Sequence, residues 1–489
     1  MVRFGEWLPD RPMTEGSLSF AFNVIPQDDH YTIFKFPAAV TTTAISGVTL
    51  GAYASRLVAG NSKTYAGNTT ALYERNGAGW TAVTRSVGGA YSLTSGTHRW
   101  EFTQWESDIY ATSLDNVLQR QAGGSGTFEN VTGGPWAACI GNVREWLVVG
   151  DVDEAGTLTP HRVRWCAIGD PTDWVASAAT QSGSQDLDAK DGRVMAIRGG
   201  EFGIVFQQNA ITRMQYIGAP IVWQFDKIDS KYGCDAARSV VQVGRSVYFL
   251  AEDGFRVTDG SGESVSISNG KISRWFNDYL QVANKHLITG AYDPSRRIIM
   301  WSFPSTTATT GTNNYTVVYH IDSKRWTYAG VAGDILFNGA TASVTVEGLD
   351  SYSTSLDALT ESLDSNFWTG GQPYFMCMNN GFLCTFTDVS GATGGGVGFL
   401  TTSEFEMNPG RRTFISGVEP LSNVEGSVYI VHRNSLTDTA SSTPVVTQHA
   451  RTRIASFRHS SRYQSLKFTF PGIFKAYGFN LFAKPDGVQ

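Results

Sequence analysis

Two cysteines that flank a turn have the clearest capacity for chemistry in this sequence. Cys377 and Cys384 lie on either side of Asn380-Gly381, a dipeptide typical of two-residue hairpin turns. A hairpin at this point would bring the two thiols to face each other across its strands. The three other cysteines also lie mostly in apolar, β-prone runs: Cys139, Cys166 and Cys234. The odd number and the apolar setting favour small buried thiols over a disulfide framework, and a reducing compartment during folding.

Metal and nucleotide chemistry lack their usual residue spacing here. The eight histidines are scattered, and the sequence contains no HxxxH, HExxH or CxxC motif, so no zinc site is predicted. The run GNSKT at Gly60 lacks the first glycine and the length of a phosphate-binding loop. The run DVDEAG at Asp151 lacks the later glutamate and the flanking helices of a calcium loop. The sequence therefore predicts neither a metal nor a cofactor.

Paired carboxylates would be needed for a glycosidase built on this chain. Such an enzyme brings two acidic side chains together, and candidates such as Glu201, Glu252 or Asp253 cannot be chosen from the sequence. Most carboxylates lie in turns, where an aspartate bonds to its own backbone. We therefore expect a protein that is not an enzyme.

The elements that would position any site are repeated β-hairpins. Short runs rich in Val, Ile, Phe, Tyr and Trp are separated by tight polar turns, as in the segment 203–212 and in the segment 247–257 around Asp253-Gly254. Six such units stand out: 100–121, 143–169, 201–218, 246–260, 296–330 and 374–388. Isolated hairpins are not stable in water, and their recurrence predicts small antiparallel sheets packed around an axis, which is a β-propeller.

Length and composition agree with an all-β repeat architecture. A chain of 489 residues exceeds the size at which a single hydrophobic core stops growing. Hydrophobic residues make up 41%, and 52 glycines accompany few helix-forming runs. The net charge of −6 argues against tight, phosphate-driven binding to nucleic acid, because that affinity comes from Lys and Arg displacing counterions.

Changes in composition divide the chain into four parts. Residues 1–50 read as an extended arm with short strands, since four prolines exclude central strand positions: Pro9, Pro12, Pro26 and Pro37. Residues 51–390 form the propeller, with helical insertions near 272–286 and 355–364. A Gly-rich linker at 391–399 precedes a β-sandwich-like domain at 400–489, where residues 464–470 alternate strictly. The predicted fold class is all-β: a β-propeller with a smaller β platform domain, built from the N-terminal arm and the C-terminal region.

No targeting or membrane segment is predicted. The opening MVRFGEWLPDRP has no apolar stretch of the secretory type, and the long uncharged run 36–55 is diluted by Thr, Ser, Gly and Pro, which indicates β structure and not a membrane helix. One local excess of positive charge lies near the C-terminus, at Arg451, Arg453, Arg458 and Arg462 with His459. It is either a solvated strand face or a polar rim that contacts a partner or a phosphate.

The order of several motifs resembles one family of proteins. These are FGEWLPDRP and NVIP in the arm, GDPTDW, GEFGIVFQQNAITRMQYIG, YGCDAARSVVQVGRSVYFLAEDGFRV and KISRWF in the middle, and RRTFISGVEP with SSRYQSLKF near the end. Together, and across nearly the whole chain, they resemble the tail nozzle, or tail hub, proteins of short-tailed bacteriophages, which stabilise packaged DNA.

The resemblance implies a structural virion protein assembled in the host bacterial cytoplasm. Family members are β-propellers with a platform domain that form a hexameric ring below the portal and adaptor. The ring is the distal DNA channel and carries fibres or spikes. The positions that match the platform module are Trp7, Asp10, Arg11, Asn23 and Pro26 with Arg411, Arg412, Arg462 and Tyr463.

Other interpretations of the same residues stay open. Trp7 and Tyr463 are equally explained as local core, and Trp174 and Trp275 are assigned to packing within blades. The residues that line a channel cannot be located in the sequence. A propeller lectin or glycan-degrading tail component that acts on the host surface is the main alternative function, and a host-derived propeller scaffold for protein partners is a weaker one.

Overall fold

The computed structural model describes residues 1–11, 14, 16–56, 62–93, 96–154, 156–309, 311–340, 373–387, 396–407 and 409–488. Within these ranges nearly all regular structure is β-strand, and the one α-helix is α1, Ser273–Tyr279. None of the described helices is long and apolar enough to span a bilayer. The helix predicted near 355–364 and residues 391–395 of the predicted linker lie outside the described residues.

The N-terminal arm contributes five short strands. They are β1 Val2–Arg3, β2 Leu18–Phe22, β3 Val24–Pro26, β4 Tyr31–Ile33 and β5 Phe36–Ala39. The prolines of β3 and β5 lie in strands at the edge of their sheets, where a missing N–H costs no ladder hydrogen bond.

Three antiparallel blades follow the arm. Blade one contains β6 Gly51–Arg56, β7 Ser62–Gly67, β8 Leu72–Asn76 and β9 Gly79–Ala82. Blade two contains β10 Glu101–Trp105, β11 Asp108–Ser113, β12 Asn116–Gln121 and β13 Glu129–Asn130. Blade three contains β14 Trp136–Val143, β15 Trp146–Glu154, β16 Thr157–Trp165 and β17 Gly183–Asp186.

Four more blades complete the propeller. Blade four contains β18 Val194–Arg198, β19 Gly203–Gln207, β20 Ile211–Tyr216 and β21 Trp223–Asp229. Blade five contains β22 Val241–Val243, β23 Ser246–Ala251, β24 Gly254–Thr258 and β25 Val265–Ser266. Blade six contains β26 Thr289–Asp293, β27 Ile298–Phe303, β28 Tyr315–His320 and β29 Trp326–Ala329. Blade seven contains β30 Ile335–Ala340, β31 Pro373–Asn379 and β32 Phe382–Thr387, completed by β5.

The first strands of the seven blades close into a ring. Strand β6 contacts β10, β10 contacts β14, β14 contacts β18, and β22, β26 and β30 continue the circle back to β6. Between β18 and β22 the contact is made by the short 3-10 turn Ala237–Ser239. The pairing of β5 with β32 joins the N-terminal arm to the last blade, so the ring is fastened by residues from the two halves of the sequence. The predicted all-β propeller is confirmed, and the described residues form seven blades.

Two predictions about local structure are corrected by the sheet registers. The dipeptide Asn338-Gly339 predicts a two-residue hairpin turn from its sequence, but it lies inside β30, where a Cβ on Gly339 would meet the Met376 side chain. Strand β5 does not belong to the platform, although it lies within the arm predicted for that module. By contrast, Asn380-Gly381 forms the predicted turn, and both residues have positive φ.

The cysteines follow the prediction made from their setting. All five are free and buried, and Cys377 and Cys384 are paired across the β31–β32 hairpin. Burial raises the pKa of Cys166 and of Cys234 to about 12, which keeps these thiols protonated and unreactive.

The platform is a two-sheet sandwich made from both ends of the chain. Its C-terminal strands are β33 Val397–Thr402, β34 Arg411–Ser422, β35 Ser427–Arg433, β36 Ser441–Ser442, β37 Val446–Thr447, β38 Ala455–Ser461, β39 Tyr463–Pro471 and β40 Lys475–Val488. One sheet has the order β3-β4-β40-β34-β38 with β1 on β40, and the other has the order β2-β33-β39-β35-β36 with β37 on β35. The predicted alternation in β39 is confirmed, because Gln464, Leu466, Phe468 and Phe470 are buried.

Candidate functional site

Nine residues were predicted from the sequence to belong to the platform module. Most of those near the N-terminus lie at the junction between the platform and the propeller. Trp7 is 1% exposed, and its ring lies 4.8 Å from that of Trp275 and 5.0 Å from that of Tyr328, in β29 of blade six. Strand β2 pairs with β29 at Phe22 and Tyr328, so the platform sheet continues into the blade. One hydrophobic core therefore runs from the sandwich into blades five and six.

Polar contacts fix the arm at the same junction. The carboxylate of Asp10 accepts hydrogen bonds from the backbone N–H of Arg274 (2.9 Å) and of Trp275 (2.8 Å), and so caps helix α1. Lys271, just before this helix, forms an ion pair with Glu6. The guanidinium of Arg11 lies against Gly270 in the same turn.

Asn23 and Pro26 lie further along the arm. Asn23 has φ +56°, and its side-chain oxygen accepts a hydrogen bond of 2.9 Å from the N–H of Gly330, the residue that follows β29. Pro26 is buried and pairs with Tyr31 between β3 and β4. The structure thus gives Trp7, Asp10 and Asn23 positions at the junction and Pro26 a position in the sandwich.

The C-terminal part of the predicted set gathers at one end of the sandwich. Arg411 and Arg412 begin β34, and Arg462 and Tyr463 lie where β38 turns into β39. Arg462 donates a 2.6 Å hydrogen bond to Glu406 and stacks over the Tyr463 ring at 5.0 Å. This group is separate from the junction and shares no contact with Trp7 or Asp10 among the described residues.

A histidine pair lies between the two platform sheets. The rings of His432, on β35, and His459, on β38, have centroids 3.9 Å apart. Burial, and then the neighbouring His432, lower the pKa of His459 to about 4. The folded state therefore resists protonation of this pair.

This pair predicts a loss of stability in acid. Because the His459 pKa is lower in the folded state than in the unfolded state, unfolded chains take up protons first as the pH falls below about 6.5. We expect the free energy of unfolding, measured with urea, to fall between about pH 6.5 and pH 4. The variant His459→Gln is expected to show a smaller fall. The control His161→Gln, in blade three, should keep the wild-type slope, and an unchanged slope in His459→Gln would contradict the prediction.

An apolar cleft opens on the platform beside the arm. Its volume is about 230 Å³, and its lining includes Phe4, Phe405, Phe479 and Leu481. Met407, at its rim, is 48% exposed. Exposed apolar surface of this kind, framed by the charged side chains of Glu404 and Glu406, is typical of protein interaction sites.

A second cavity lies at one end of the propeller axis, which we call the axial mouth. Residues just before five of the seven innermost strands surround it and the smaller cavity beside it: Arg99, Arg193, Arg238, His286 and Asp334. The larger cavity has a volume of about 270 Å³. Because the chain starts every innermost strand at the same end of the ring, residues far apart in sequence converge there.

The three carboxylates that line the larger cavity each have a cationic partner, whereas Asp334, on the smaller cavity, accepts a hydrogen bond of 2.8 Å from the N–H of Asn380. Asp151, which is 1% exposed, accepts hydrogen bonds from Arg193 at 2.6 and 2.9 Å. Asp235 forms an ion pair with Lys285. Glu101 lies 3.4 Å from Arg198.

Two other arginines at the axial mouth bond to the backbone and not to a carboxylate. Among the described residues, neither Arg99 nor Arg238 forms an ion pair with a carboxylate, and their hydrogen bonds go to backbone carbonyls. Burial lowers the pKa of Arg99 to about 10. Burial, and then repulsion from Arg99, lower the pKa of Arg238 to about 9. Both arginines therefore stay protonated at neutral pH.

The carboxylates considered from the sequence do not meet at the axis. Glu201 lies in the β18–β19 turn, and Glu252 and Asp253 lie in the β23–β24 turn, where Asp253 bonds to Arg256 at 2.7 Å. Sequence reasoning did not find Arg99 or Arg238. The signal available was their position immediately before an innermost strand, which becomes visible once the blades are delimited. Within the described part of the chain, no three His, Cys, Asp or Glu side chains are grouped as a metal site.

Comparisons with known proteins give only distant similarities. No protein-family model and no curated protein sequence matches the chain. The computationally designed Ika8 protein is 10% identical over 75% of this chain and 96% of its own, with a TM-score of 0.39. BamB from Moraxella catarrhalis is 8% identical over 74% and 92%, with a TM-score of 0.36. The Pan2 WD40 domain of Neurospora crassa is 4% identical over 64% and 90%, with a TM-score of 0.38. The description of the fold rests on the sheet topology of this chain itself.

Proposed function

We propose that this chain is a structural subunit of the tail nozzle of a short-tailed bacteriophage. In this proposal, six copies form a ring below the portal and adaptor, retain the packaged DNA and conduct it during ejection. The ring also carries fibres or spikes. The subunit is assembled in the bacterial cytoplasm and ends up in the tail of the virion.

The observation that carries the proposal is the fusion of two modules into one body. The platform shares its core with blades five and six through Trp7, Trp275 and Tyr328, and the arm also closes blade seven through β5. A ring wall needs subunits that do not flex between modules, because closure of a ring depends on a fixed angle between neighbouring copies. The order of motifs along the chain, which resembles that of tail nozzle proteins, also supports the proposal.

The platform cleft gives the ring a candidate contact. A second copy of the chain is the occupant that the ring requires, and a ring uses two different faces of each subunit. Burial of the exposed Met407 side chain in the neighbouring subunit would remove apolar surface from water. We therefore assign the cleft to the interface between copies.

The charge of the chain suits a conduit. With a net charge of −6, the subunit would gain little affinity for DNA from the release of counterions. It would therefore do little to slow a passing DNA duplex. Among the described residues, the two larger cavities near the propeller axis of a single subunit have volumes of about 270 and 150 Å³, which is too small for a duplex. DNA would therefore pass through the centre of the ring and not through a propeller.

Native mass spectrometry of the purified chain, alone and with the portal and adaptor proteins of the phage that would carry it, tests the proposal. We expect a six-fold assembly of the 53.2 kDa chain, formed alone or on the adaptor. A chain that stays monomeric in both mixtures and is absent from purified virions would refute the function.

A matched pair of variants tests the cleft. Met407→Asp places a charge on apolar surface, and we expect it to weaken ring formation by about tenfold or more. Leu436→Asp is the control, because Leu436 is 50% exposed on the platform and does not line the cleft. Equal ring formation by both variants would exclude the cleft as the interface.

A further inference from the structure

The axial mouth contains two arginines that form no ion pair with a described carboxylate. Arg99 and Arg238 line both the cavity of about 270 Å³ and the smaller cavity beside it, together with His286. The described acidic side chains that line the larger cavity are already engaged with Arg193, Arg198 and Lys285. A concentration of like charge in a half-enclosed space is unfavourable unless a ligand neutralises it.

Hydrogen bonds to backbone carbonyls hold both guanidinium groups in place and use only some of their N–H donors. Arg238 uses Nη2 to bond the carbonyl oxygens of Leu50 (3.0 Å) and Trp100 (2.6 Å). Arg99 uses Nη1 to bond those of Gly96 (2.7 Å) and His98 (2.8 Å). The remaining Nε and Nη groups of both residues make no hydrogen bond to a described residue. Pre-ordered guanidinium forks of this kind bind oxyanions without a large loss of side-chain entropy.

The number of N–H donors and the volume narrow the class of ligand. Two guanidinium groups with free N–H donors match the three terminal oxygens of a phosphate group, whereas a carboxylate offers only two oxygens. A cavity of about 270 Å³ accepts a phosphate group with a small substituent and excludes duplex nucleic acid.

We propose that the axial mouth is a binding site for a phosphate dianion, free or as the phosphoryl group of a small monoester, held between Arg99 and Arg238. His286 and Lys285 lie at the same cavity, where each can add an N–H donor. This site is independent of ring assembly, because it lies at the propeller axis and not on the platform.

Isothermal titration calorimetry with three probes at constant ionic strength tests the site. The probes are inorganic phosphate, methyl phosphate and acetate. We expect at least one phosphate probe to bind with a Kd of about 1 mM or below, and acetate to bind about tenfold more weakly. The tighter of the two phosphate probes identifies whether a free or an esterified phosphate is preferred. Absence of binding by both at about 10 mM, or acetate binding as tight as phosphate, would overturn the proposal.

Matched variants locate the binding. Arg99→Gln is expected to weaken phosphate binding by about tenfold, whereas Arg274→Gln, whose side chain is 84% exposed on α1, leaves it unchanged. Arg238→Gln tests the second fork, and its melting temperature shows whether the loss of the bonds to Leu50 and Trp100 has unfolded it. If Arg238→Gln does not fold, the site is tested by two other measurements. These are the phosphate affinity of Arg99→Gln and the broadening of the phosphate ³¹P signal by the wild-type protein. Equal affinity in Arg99→Gln and Arg274→Gln would contradict the site.

Discussion

Trp7→Ala is expected to destabilise the protein by about 3–5 kcal/mol and to release the N-terminal arm from blade six. Trp7 is 1% exposed and contacts Trp275 and Tyr328, and its Nε1 donates to the carbonyl of Ser19 at 3.2 Å. Alanine removes the indole from the centre of this cluster, and the surrounding rings cannot close the cavity without moving β2 away from β29.

Urea unfolding and limited proteolysis of the arm measure this effect. Trp136→Ala is the control, because Trp136 is 44% exposed in blade three and should cost about 0.5 kcal/mol or less. A Trp7→Ala protein as stable as Trp136→Ala, with its arm equally resistant to protease, would show that the platform is not fixed through this residue.

Among glycine-to-alanine substitutions in the propeller, Gly199→Ala is expected to lower the stability of the protein most. A Cβ at this position, just after β18 of blade four, would overlap the backbone carbonyl of Asn142 in β14 of blade three. Backbone atoms cannot rotate away as a side chain can, so the two blades must separate. We expect a loss of about 3 kcal/mol or more, at the upper end of overpacking effects.

The matched substitution for this test is Gly262→Ala. Gly262 has no atom within 4 Å of an added Cβ and needs no positive φ, so the added methyl should change stability by about 0.5 kcal/mol or less. Both variants are compared by their thermal and urea transitions. Similar stability in the two would mean that blades three and four are not packed as described.

Much of the propeller is predictable from short-range patterns. The hairpin at 246–260 combines a β-branched and aromatic run with Asp253-Gly254, and both its strands and its turn follow directly. Blade one was not recognised as a separate unit, because its strands contain Ala, Ser, Lys and Glu at positions where the other blades have larger apolar residues. The blade number also depends on β5, whose partner β32 is separated from it by most of the chain. Pairing over such a distance leaves no local signal.

The functional residues were harder to predict for the same reason. Asp10 caps a helix that begins more than two hundred residues later, and only the folded arm brings the two together. The Arg99 and Arg238 side chains meet because every blade begins at the same end of the axis. In the sequence each is an isolated arginine next to a strand. Asn338-Gly339 shows the opposite error, since its turn propensity was overridden by the packing of β30 in the ring.

A glycan-degrading propeller would use the axial mouth differently. Of its described carboxylates, Glu101, Asp151 and Asp235 are each engaged with a cation, and Asp334 accepts a hydrogen bond from the N–H of Asn380. This arrangement favours the structural role, and binding to a broad glycan panel is the result that would reverse the preference.

A cryo-electron microscopy reconstruction of the tail of the virion that contains this chain tests the central claim most directly. The account predicts six copies of the seven-bladed propeller and its fixed platform around a channel wide enough for duplex DNA, about 20 Å across, below the adaptor. A tail without this chain, or a chain present as single peripheral copies that line no channel, would contradict it.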